Sequence, residues 1–334
     1  MNMKVDQLQE IPKAEVTDQM NGVMYQVQIF RAALELQIWA KVAAGEDTAE
    51  QIAAKEDWDP KGTQMLLDDL CSLKLLGKHD NRYCLVPEAE YYLLPDKPTY
   101  TGQFLLSEFN WEGNGKLAKA IRTGKRPIHY RATTSEVADM WPAVYVSNWV
   151  APGSYLQRSD ALWQALGIQA RDGLRVLDVG CGPAPKSLAL ARQHAGVRVT
   201  LLDWEPVLKI TRKVATDLGV EKQVTILAGD LWSLDYGSHQ FDLAYLGNIT
   251  HFFGFEENIR LFRKVYDALV SGGVVVVNAV RHEYPDPMAP ALWFYAVSKD
   301  GAAYDFAVYK DMLEHAGYIN TEDVSTQPIK ATKP

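Results

Sequence analysis

The sequence predicts an α/β fold in two parts, a doubly wound sheet in the C-terminal half and a smaller helical domain before it. Short apolar segments alternate with helical segments from Leu174 onward. The first hundred residues instead show apolar residues at helical spacing, followed by one short β-ribbon. A glycine-rich turn, GCGPA, follows the first apolar segment of the C-terminal half. Together these patterns are typical of a ligand-binding α/β protein.

The composition predicts a globular, cytoplasmic protein. The 334 residues are 47% hydrophobic and 23% charged, which is enough for one large core or two medium cores. The polar start MNMKVDQLQEIPKAEV has no apolar centre typical of a signal peptide, and no apolar run approaches the roughly 20 residues that span a bilayer. Because Cys71, Cys84 and Cys181 form no CxxC pair, we expect neither a disulfide nor a metal site.

The N-terminal pattern predicts three helices and a hairpin, which in this order make a winged helix over residues 1–100. The first helix covers 23–43, and the second begins with the capping-box pair Thr48 and Gln51. The third begins at Asp59 and stops at Gly77, and a turn at Asp80-Asn81 then joins two short strands.

Charge argues against nucleic acid as the partner of the winged helix. Residues 1–100 carry 10 Lys and Arg against 17 Asp and Glu. The third helix bears Asp68 and Asp69 beside Lys61 and Lys74, so it offers phosphates no net attraction. We therefore expect this domain to form a homodimer interface rather than a DNA-binding surface.

The middle segment, 101–170, is predicted to be mostly helical and rich in aromatic residues. It contains a basic run at 116–131, KLAKAIRTGKRPIHYR. The run fits a solvated helix face, with a clamp for an acidic substrate as the alternative.

Five apolar segments of the C-terminal domain, 171–334, are predicted to be parallel strands covered on both faces. They are LRVLDVG, VRVTLLD, QVTILAG, FDLAYLG and GVVVVNA. In such sheets ligands bind at the carboxyl ends of the strands.

The glycine-rich turn matches two phosphate-binding patterns only in part. Pro185 stands where the P-loop pattern GxxxxGK[ST] needs its second glycine, and a proline has no N–H to offer a phosphate. The dinucleotide pattern GxGxxG matches at Gly180 and Gly182 but again fails at Pro185. Asp178, two residues before the turn, would repel a pyrophosphate but attract a cationic ligand. S-adenosylmethionine is an adenine-containing ligand with positive charge and no phosphate.

Acidic residues at successive strand ends fit the parts of S-adenosylmethionine. Asp178 suits the positively charged end, Asp203 the two ribose hydroxyls, and Asp230 the adenine amino group. The predicted cofactor-binding residues are completed by their neighbours and the turn glycines, namely Gly180, Gly182, Trp204, Gly229, Leu231 and Asn248.

The winged-helix front half, followed by LDVGCGPA, LLD and AGDLW, resembles the class I S-adenosylmethionine-dependent O-methyltransferases of the caffeate and acetylserotonin type. The resemblance covers nearly the whole chain. It implies a Rossmann-like catalytic domain and an N-terminal winged-helix dimerisation domain that also contributes to the partner's substrate pocket. It further implies that His251 is the general base.

The sequence departs from the family pattern around His251. Phe252 stands where the family usually has Asp, and Asn278 and Ala303 stand where two glutamates usually orient the histidine. Asn278 could accept a hydrogen bond from Nδ1. Glu283, Asp300 and Asp305 are possible substitutes for the missing glutamates. The substrate-binding residues implied are Asn278, Trp293, Phe294 and Tyr295, although core packing also explains the three aromatic residues.

Four functions follow from these observations. The first is methylation of the hydroxyl group of a small aromatic or polyketide-like secondary metabolite. The second keeps the cofactor but methylates carbon or nitrogen, and the third is a relative that retains the cofactor without methylating. The fourth is a winged-helix regulator that senses the cofactor, which the acidic charge of the front domain disfavours.

Overall fold

The computed structural model describes residues 14–97, 100–106, 111, 114–125, 152–283, 291–324 and 328–334. The chain divides into two compact units, 1–106 and 107–334. The predicted middle segment, 101–170, crosses that division, and the end of its basic run, 126–131, lies outside the described residues.

The first unit is helical with one β-hairpin, in the order predicted for a winged helix. Its core holds Ile38, Trp39, Ile52, Leu67 and Leu70. The elements are α1 (Glu15–Glu35), α2 (Ile38–Ala43), α3 (Ala49–Glu56), α4 (Pro60–Ser72), antiparallel β1 (Gly77–His79) and β2 (Arg82–Cys84), α5 (Pro87–Tyr92) and α6 (Gly102–Leu105).

Two boundaries in this unit differ from the prediction. The single helix predicted over 23–43 is broken at Gln37, whose φ of 53° lies in the left-handed region. The break directs Trp39 into the core, where its Nε1–H donates to the Leu75 carbonyl at 2.9 Å. The predicted stop at Gly77 is wrong, since α4 ends at Ser72 and Gly77 begins β1. The capping box at Thr48 and the cap at Asp59 are confirmed.

The second unit is a sheet with helices on both faces. Its order along the chain is α7 (Leu117–Thr123), α8 (Pro152–Ala165), β3 (Arg175–Val179), α9 (Pro185–Gln193), β4 (Arg198–Asp203), α10 (Glu205–Asp217), β5 (Val224–Ala228), β6 (Phe241–Gly247), α11 (Phe255–Ala268), β7 (Leu269–Asn278), α12 (Ala291–Val297), α13 (Phe306–His315), β8 (Ile319–Asp323) and β9 (Pro328–Thr332). Short 3-10 turns occupy Glu221–Gln223 and Thr250–Phe252.

The sheet has the order β5-β4-β3-β6-β7-β9-β8. The strands β3 to β7 pair in parallel, as the five apolar segments predict. Strand β9 pairs antiparallel with β7, and β8 pairs antiparallel with β9. The sequence did not predict β8 and β9. Strand β8 lies at the edge and is mostly exposed, so its sequence INTED lacks the apolar alternation of a half-buried strand. One buried cluster includes residues of α11 and α13, and the other includes residues of α8, α9 and α10, so the core is doubly wound.

Within the ranges listed above, no helix is both long and apolar enough to cross a bilayer.

Candidate functional site

The predicted site residues cluster after the carboxyl ends of the parallel strands. Strand β3 ends at Val179, β4 at Asp203, β5 at Ala228, β6 at Gly247 and β7 at Asn278. Because these strands are parallel, their carboxyl ends lie along one edge of the sheet. Every site residue predicted from the sequence between 178 and 278 lies at this edge or within a few residues of it.

The turn from β3 to α9 has the backbone geometry that its glycines permit. Gly180 has φ of 65° and Gly182 has φ of 53°, both left-handed. A Cβ atom on Gly180 would lie 3.1 Å from the Ile249 side chain. The Thr211 hydroxyl donates to the Gly182 carbonyl at 2.7 Å, and the Cys181 N–H donates to the Leu202 carbonyl at 3.0 Å. The turn is therefore held close to β4.

Asp203 joins this turn to the next strand end. Its Oδ2 accepts the Gly182 N–H at 2.8 Å, and its Oδ1 accepts the Trp204 N–H at 2.7 Å. Burial raises the pKa of Asp203 to about 6, against the lowering effect of the two N–H donors. Each carboxylate oxygen keeps a lone pair for a further donor, such as a ribose hydroxyl.

Asp178 is the second carboxyl group buried in the site, with 1% of its surface exposed. The Ser187 hydroxyl of α9 donates to its Oδ2 at 2.6 Å. Burial raises the pKa of Asp178 to about 7, and the negative charge of Asp203 adds to this while Ser187 opposes it. Two carboxyl groups that disfavour each other's charge make a site that gains most from a positively charged ligand.

The loop after β5 carries Asp230 and is held by residues that the sequence did not reveal. Asp230 accepts the Trp232 N–H at 3.0 Å, and the preceding Gly229 donates its N–H to the Asp203 carbonyl at 3.0 Å. The Leu231 carbonyl accepts from Tyr236 Oη at 2.6 Å and from Lys264 Nζ at 2.8 Å. Lys264 also donates to the Trp232 carbonyl at 2.8 Å. Lys264 belongs to α11, and no local motif marks it.

Asn248 and Asn278 meet at the ends of β6 and β7. The Asn248 backbone, with φ of 56°, donates its N–H to the Asn278 carbonyl at 2.7 Å. The side chain of Asn278 hydrogen-bonds the phenol of Tyr245 and opposes the rise that burial imposes on the pKa of Tyr245. The expected acceptance of a His251 Nδ1–H bond by Asn278 is therefore wrong.

His251 lies in the 3-10 turn after β6 and is 2% exposed. The Val280 N–H donates to its Nδ1 at 3.4 Å. The ring packs on Phe294, with ring centroids 3.9 Å apart, and also contacts Phe252. Burial alone lowers the pKa of His251 to about 3. The histidine is thus a neutral, enclosed imidazole.

The three carboxylates considered as substitutes for the missing glutamates have other partners. Glu283 accepts from Arg281 Nε at 3.0 Å and from the Phe306 N–H at 2.7 Å. Asp305 lies 3.8 Å from His282, and Asp300 lies 3.5 Å from Lys299. In the part of the chain that the structure describes, no carboxylate hydrogen-bonds His251.

The three aromatic residues of α12 differ in what they contact. Phe294 is buried against His251, and the Trp293 ring lies 6.1 Å from that of Phe252. The Tyr295 hydroxyl donates to the Ala120 carbonyl of α7 at 3.3 Å. Phe294 therefore contacts His251 directly, and Trp293 contacts Phe252, which is itself a neighbour of His251. Tyr295 instead links α12 to α7.

These residues fit S-adenosylmethionine. Two buried carboxyl groups suit its cationic part, and the left-handed turn without side chains at Gly180 and Gly182 suits its ribose. The loop of Asp230 adds an acceptor for the adenine amino group. Among the described side chains, no group of three His, Cys, Asp or Glu residues could hold a metal ion.

Comparison with known proteins agrees with both halves of the fold. Residues 18–95 match the model of the O-methyltransferase dimerisation domain, and residues 176–273 match that of a methyltransferase domain. A 3-hydroxy-5-methyl-1-naphthoate 3-O-methyltransferase of Streptomyces sahachiroi is 25% identical over 321 residues, 90% of this chain and 88% of the relative. An L-tyrosine C(3)-methyltransferase of Streptomyces lavendulae is 25% identical over 311 residues, 87% of this chain and 83% of the relative.

A solved structure shares the fold at lower identity. It is an O-methyltransferase of neocarzinostatin biosynthesis in complex with S-adenosylmethionine and 2-hydroxy-5-methyl naphthoic acid. The TM-score is 0.67 at 20% identity, with 92% of this chain and 95% of that chain covered. With its dimerisation domain, its methyltransferase domain and a site built for a cationic adenosyl ligand, the chain belongs to the S-adenosylmethionine-dependent O-methyltransferase family with an N-terminal winged-helix dimerisation domain.

Proposed function

We propose that this protein methylates the hydroxyl group of a small aromatic or polyketide-like acceptor, with S-adenosylmethionine as the methyl donor. The observation that carries the proposal is the pair of buried carboxyl groups, Asp178 and Asp203, at a glycine turn on the carboxyl edge of the sheet. Bound there, the cofactor supplies an electrophilic methyl group on a sulfonium.

Each predicted cofactor residue has a role that its contacts support. Asp178 neutralises the cationic end, Asp203 accepts from the ribose hydroxyls, and Asp230 accepts from the adenine amino group. The turn and loop residues shape the remaining walls of this pocket, namely Gly180, Gly182, Trp204, Gly229, Leu231 and Asn248.

The acceptor is placed beside His251. The aromatic rings of Phe252, Trp293 and Phe294 cluster around this histidine and offer flat apolar contacts to an aromatic ring. The naphthoate acceptor named for the Streptomyces sahachiroi relative is such a ring with a hydroxyl group. Asn278, the last residue of β7, is proposed to contact the acceptor as well.

We further propose a homodimer formed through the first unit. The match to an O-methyltransferase dimerisation domain over 18–95 supports this, as does the exposed apolar surface of α1.

Carbon methylation is the second candidate, and one observation favours it. Among the described residues no carboxylate hydrogen-bonds His251, so none of them stabilises an imidazolium during proton abstraction. The relative from Streptomyces lavendulae is named for methylation at a ring carbon of tyrosine.

The test begins with calorimetry of S-adenosylhomocysteine and continues with methyl-labelled S-adenosylmethionine and two acceptors, 6-hydroxy-2-naphthoate and L-tyrosine. We expect binding of S-adenosylhomocysteine and a methyl ether of the naphthoate, identified by the carbon shift of the labelled methyl group. A label attached to a ring carbon would establish the second candidate, and absence of any binding would contradict both.

A further inference from the structure

We infer that His251 acts as a hydrogen-bond donor to the acceptor oxygen and not as its base, so that the acceptor reacts as an oxygen anion formed before methyl transfer. This inference rests on the proposed function and names its substrate class: hydroxyl compounds acidic enough to ionise in neutral water.

The hydrogen bond at Nδ1 determines where the ring proton lies. A backbone N–H can only donate, and the Val280 N–H points at Nδ1 over 3.4 Å. Nδ1 therefore supplies its lone pair, and a neutral imidazole then carries its single proton on Nε2. In a histidine that acts as a base, an acid holds the proton on Nδ1 and leaves the Nε2 lone pair available. His251 has the opposite arrangement.

The surroundings of the ring disfavour a second proton. His251 is 2% exposed and packs against the rings of Phe252 and Phe294. Charged groups on the neighbouring elements are paired among themselves: Glu257 with Arg260 on α11, Arg281 with Glu283 and Asp323 after β7, Lys299 with Asp300 after α12, and His282 with Asp305 before α13. Burial is the sole cause of the low pKa of His251, and none of these charges offsets it.

The turn that carries His251 is fixed from three sides, which keeps the ring in this orientation. The Asn258 amide of α11 donates to the carbonyls of Thr250 and Phe253, at 3.0 and 3.2 Å. The Thr250 hydroxyl is 2.9 Å from the Tyr309 hydroxyl of α13. At Gly301 a Cβ atom would come within 2.5 Å of the His251 carbonyl oxygen, so the backbone there also packs closely. A ring flip that exposed Nδ1 would lose the Val280 bond inside this packing.

The chemistry then needs no proton transfer to the protein. The anionic acceptor oxygen forms a bond to the methyl carbon, the carbon–sulfur bond breaks, and its electron pair stays on sulfur. The Nε2–H of His251 holds the oxygen through a charge-assisted hydrogen bond and orients one of its lone pairs toward the methyl group. The proton of the acceptor has already left to water. Phenols with an electron-withdrawing group on the ring meet this requirement.

The first test measures the tautomer directly. Protein labelled with nitrogen-15 histidine, saturated with S-adenosylhomocysteine, is followed by NMR from pH 5.5 to 8, with His251→Gln used to assign the signals. We expect His251 to show a protonated Nε2 and an unprotonated Nδ1 throughout. A protonated Nδ1 with a bare Nε2, or an imidazolium forming in this range, would overturn the inference.

The second test compares two substitutions and two acceptors. The amide of His251→Gln can donate a hydrogen bond but cannot act as a base. The side chain of His251→Phe is an aromatic ring that can neither donate a hydrogen bond nor act as a base. We expect the Gln variant to retain turnover within about tenfold and the Phe variant to lose about 10²-fold or more. Equal losses of that size in both variants would restore the base role.

The two acceptors are 2-naphthol and the more acidic 1-nitro-2-naphthol. In the wild-type enzyme, we expect the pH at which the rate is half-maximal to be lower with the nitro compound, by the difference between the two phenol pKa values. A midpoint that stays the same for both acceptors would contradict the inference. Failure of the proposed function can be distinguished from failure of this inference. In that case neither naphthol would give a methyl ether, while the NMR experiment would still report the tautomer of His251.

Discussion

Asp178 and Asp203, which we propose to bind the cofactor, also affect the stability of the protein before any ligand binds. Burial raises the pKa of Asp178 to about 7 and that of Asp203 to about 6, above the ordinary value of 3.8. Between pH 4 and these values the folded protein therefore holds protons that the unfolded chain has released. A carboxyl group with a raised pKa makes the fold less stable as pH increases through this window.

We therefore expect each of these two groups to lower the stability of the ligand-free protein by up to about 1.4 kcal/mol per pH unit as pH rises from about 4 to its own pKa, while His251, whose pKa burial lowers to about 3, contributes in the opposite direction up to its ordinary value of 6.5. Urea unfolding at a series of pH values measures the slope. Asp178→Asn should flatten it, while Asp217→Asn, at an exposed ion pair with Lys213, should leave it unchanged. An Asp178→Asn variant with the same slope as the wild type would show that Asp178 is already ionised in the ligand-free fold.

Asp203 also gives a prediction for cofactor affinity. Asp203→Ala should weaken binding of S-adenosylhomocysteine by about 1.5 to 3 kcal/mol, because hydrogen bonds to a charged acceptor are lost. The same change removes the acceptor of the Gly182 and Trp204 N–H groups, so thermal unfolding without ligand must be measured beside calorimetry. Asp203→Asn, which keeps one oxygen acceptor, should lose less. Unchanged affinity in the Ala variant would remove Asp203 from the cofactor site.

At the scale of elements, α11 supports the loop that follows β5. Lys264 donates to the carbonyls of Leu231 and Trp232, both at 2.8 Å, and its Nζ lies 4.4 Å from the centre of the Tyr236 ring. This single side chain therefore links a helix to the loop proposed to hold adenine.

We expect Lys264→Met to weaken binding of S-adenosylhomocysteine about three- to tenfold, since two hydrogen bonds from a partly exposed ammonium are lost. Lys264→Arg should recover part of the affinity. Lys213→Met, which breaks only the exposed pair with Asp217 on α10, serves as the control in the same calorimetric titration. Full affinity in the Met variant would mean that Tyr236 alone holds the loop.

The C-terminal end of α11 is closed by Lys333, which follows β9 and is 5% exposed. Its Nζ donates to the carbonyls of Tyr266 and Leu269, at 2.8 and 2.7 Å. A cation at a helix C-terminus satisfies carbonyls that have no partner within the helix and interacts favourably with the helix dipole.

Lys333→Met should therefore lower the free energy of unfolding by about 1 to 3 kcal/mol and leave cofactor affinity unchanged. Lys330→Met is the control, because Lys330 lies on β9, three residues before Lys333, where it pairs with the exposed Glu322 at 3.0 Å and donates to the Leu166 carbonyl at 3.4 Å. Urea unfolding of both variants gives the comparison, and similar losses in the two would argue against a special role for Lys333.

At the scale of the whole molecule, the face of α1 is too apolar for an uncovered surface. Val16 is 71% exposed, and further apolar residues are exposed at helical spacing, namely Met20, Val23, Met24 and Val27. Exposed apolar patches of this kind mark interaction surfaces, and the dimerisation-domain match covers most of this helix.

We expect light scattering to give twice the 37.4-kDa mass of the chain for the wild type, and the monomer mass for the double variant Met20→Glu/Met24→Glu. Ile319→Glu changes an exposed apolar residue of β8 in the other unit and should leave the dimer intact. A monomeric wild type at micromolar concentration would contradict the proposed assembly.

The parts of the molecule that could be predicted from sequence are those with local causes. Thr48 and Asp59 cap their helices through atoms three residues away. The five parallel strands are marked by their own apolar residues, and parallel pairing then places Asp178 and Asp203 at one edge. The left-handed turn follows from two glycines within three residues. Cofactor class was therefore accessible from the sequence alone.

Features that depend on distant segments were decided only by the tertiary structure. The break at Gln37 follows from the packing of Trp39 against Leu75, and the support of the loop after β5 comes from Lys264, 33 residues after Leu231. The state of His251 is the clearest case. His251 follows β6 closely in the sequence. The ring nitrogen that carries its proton, however, depends on the Val280 backbone, and its charge depends on burial against Phe294. No pattern around residue 251 encodes these contacts, because hydrogen bonding and desolvation are set by whatever the fold brings against the ring.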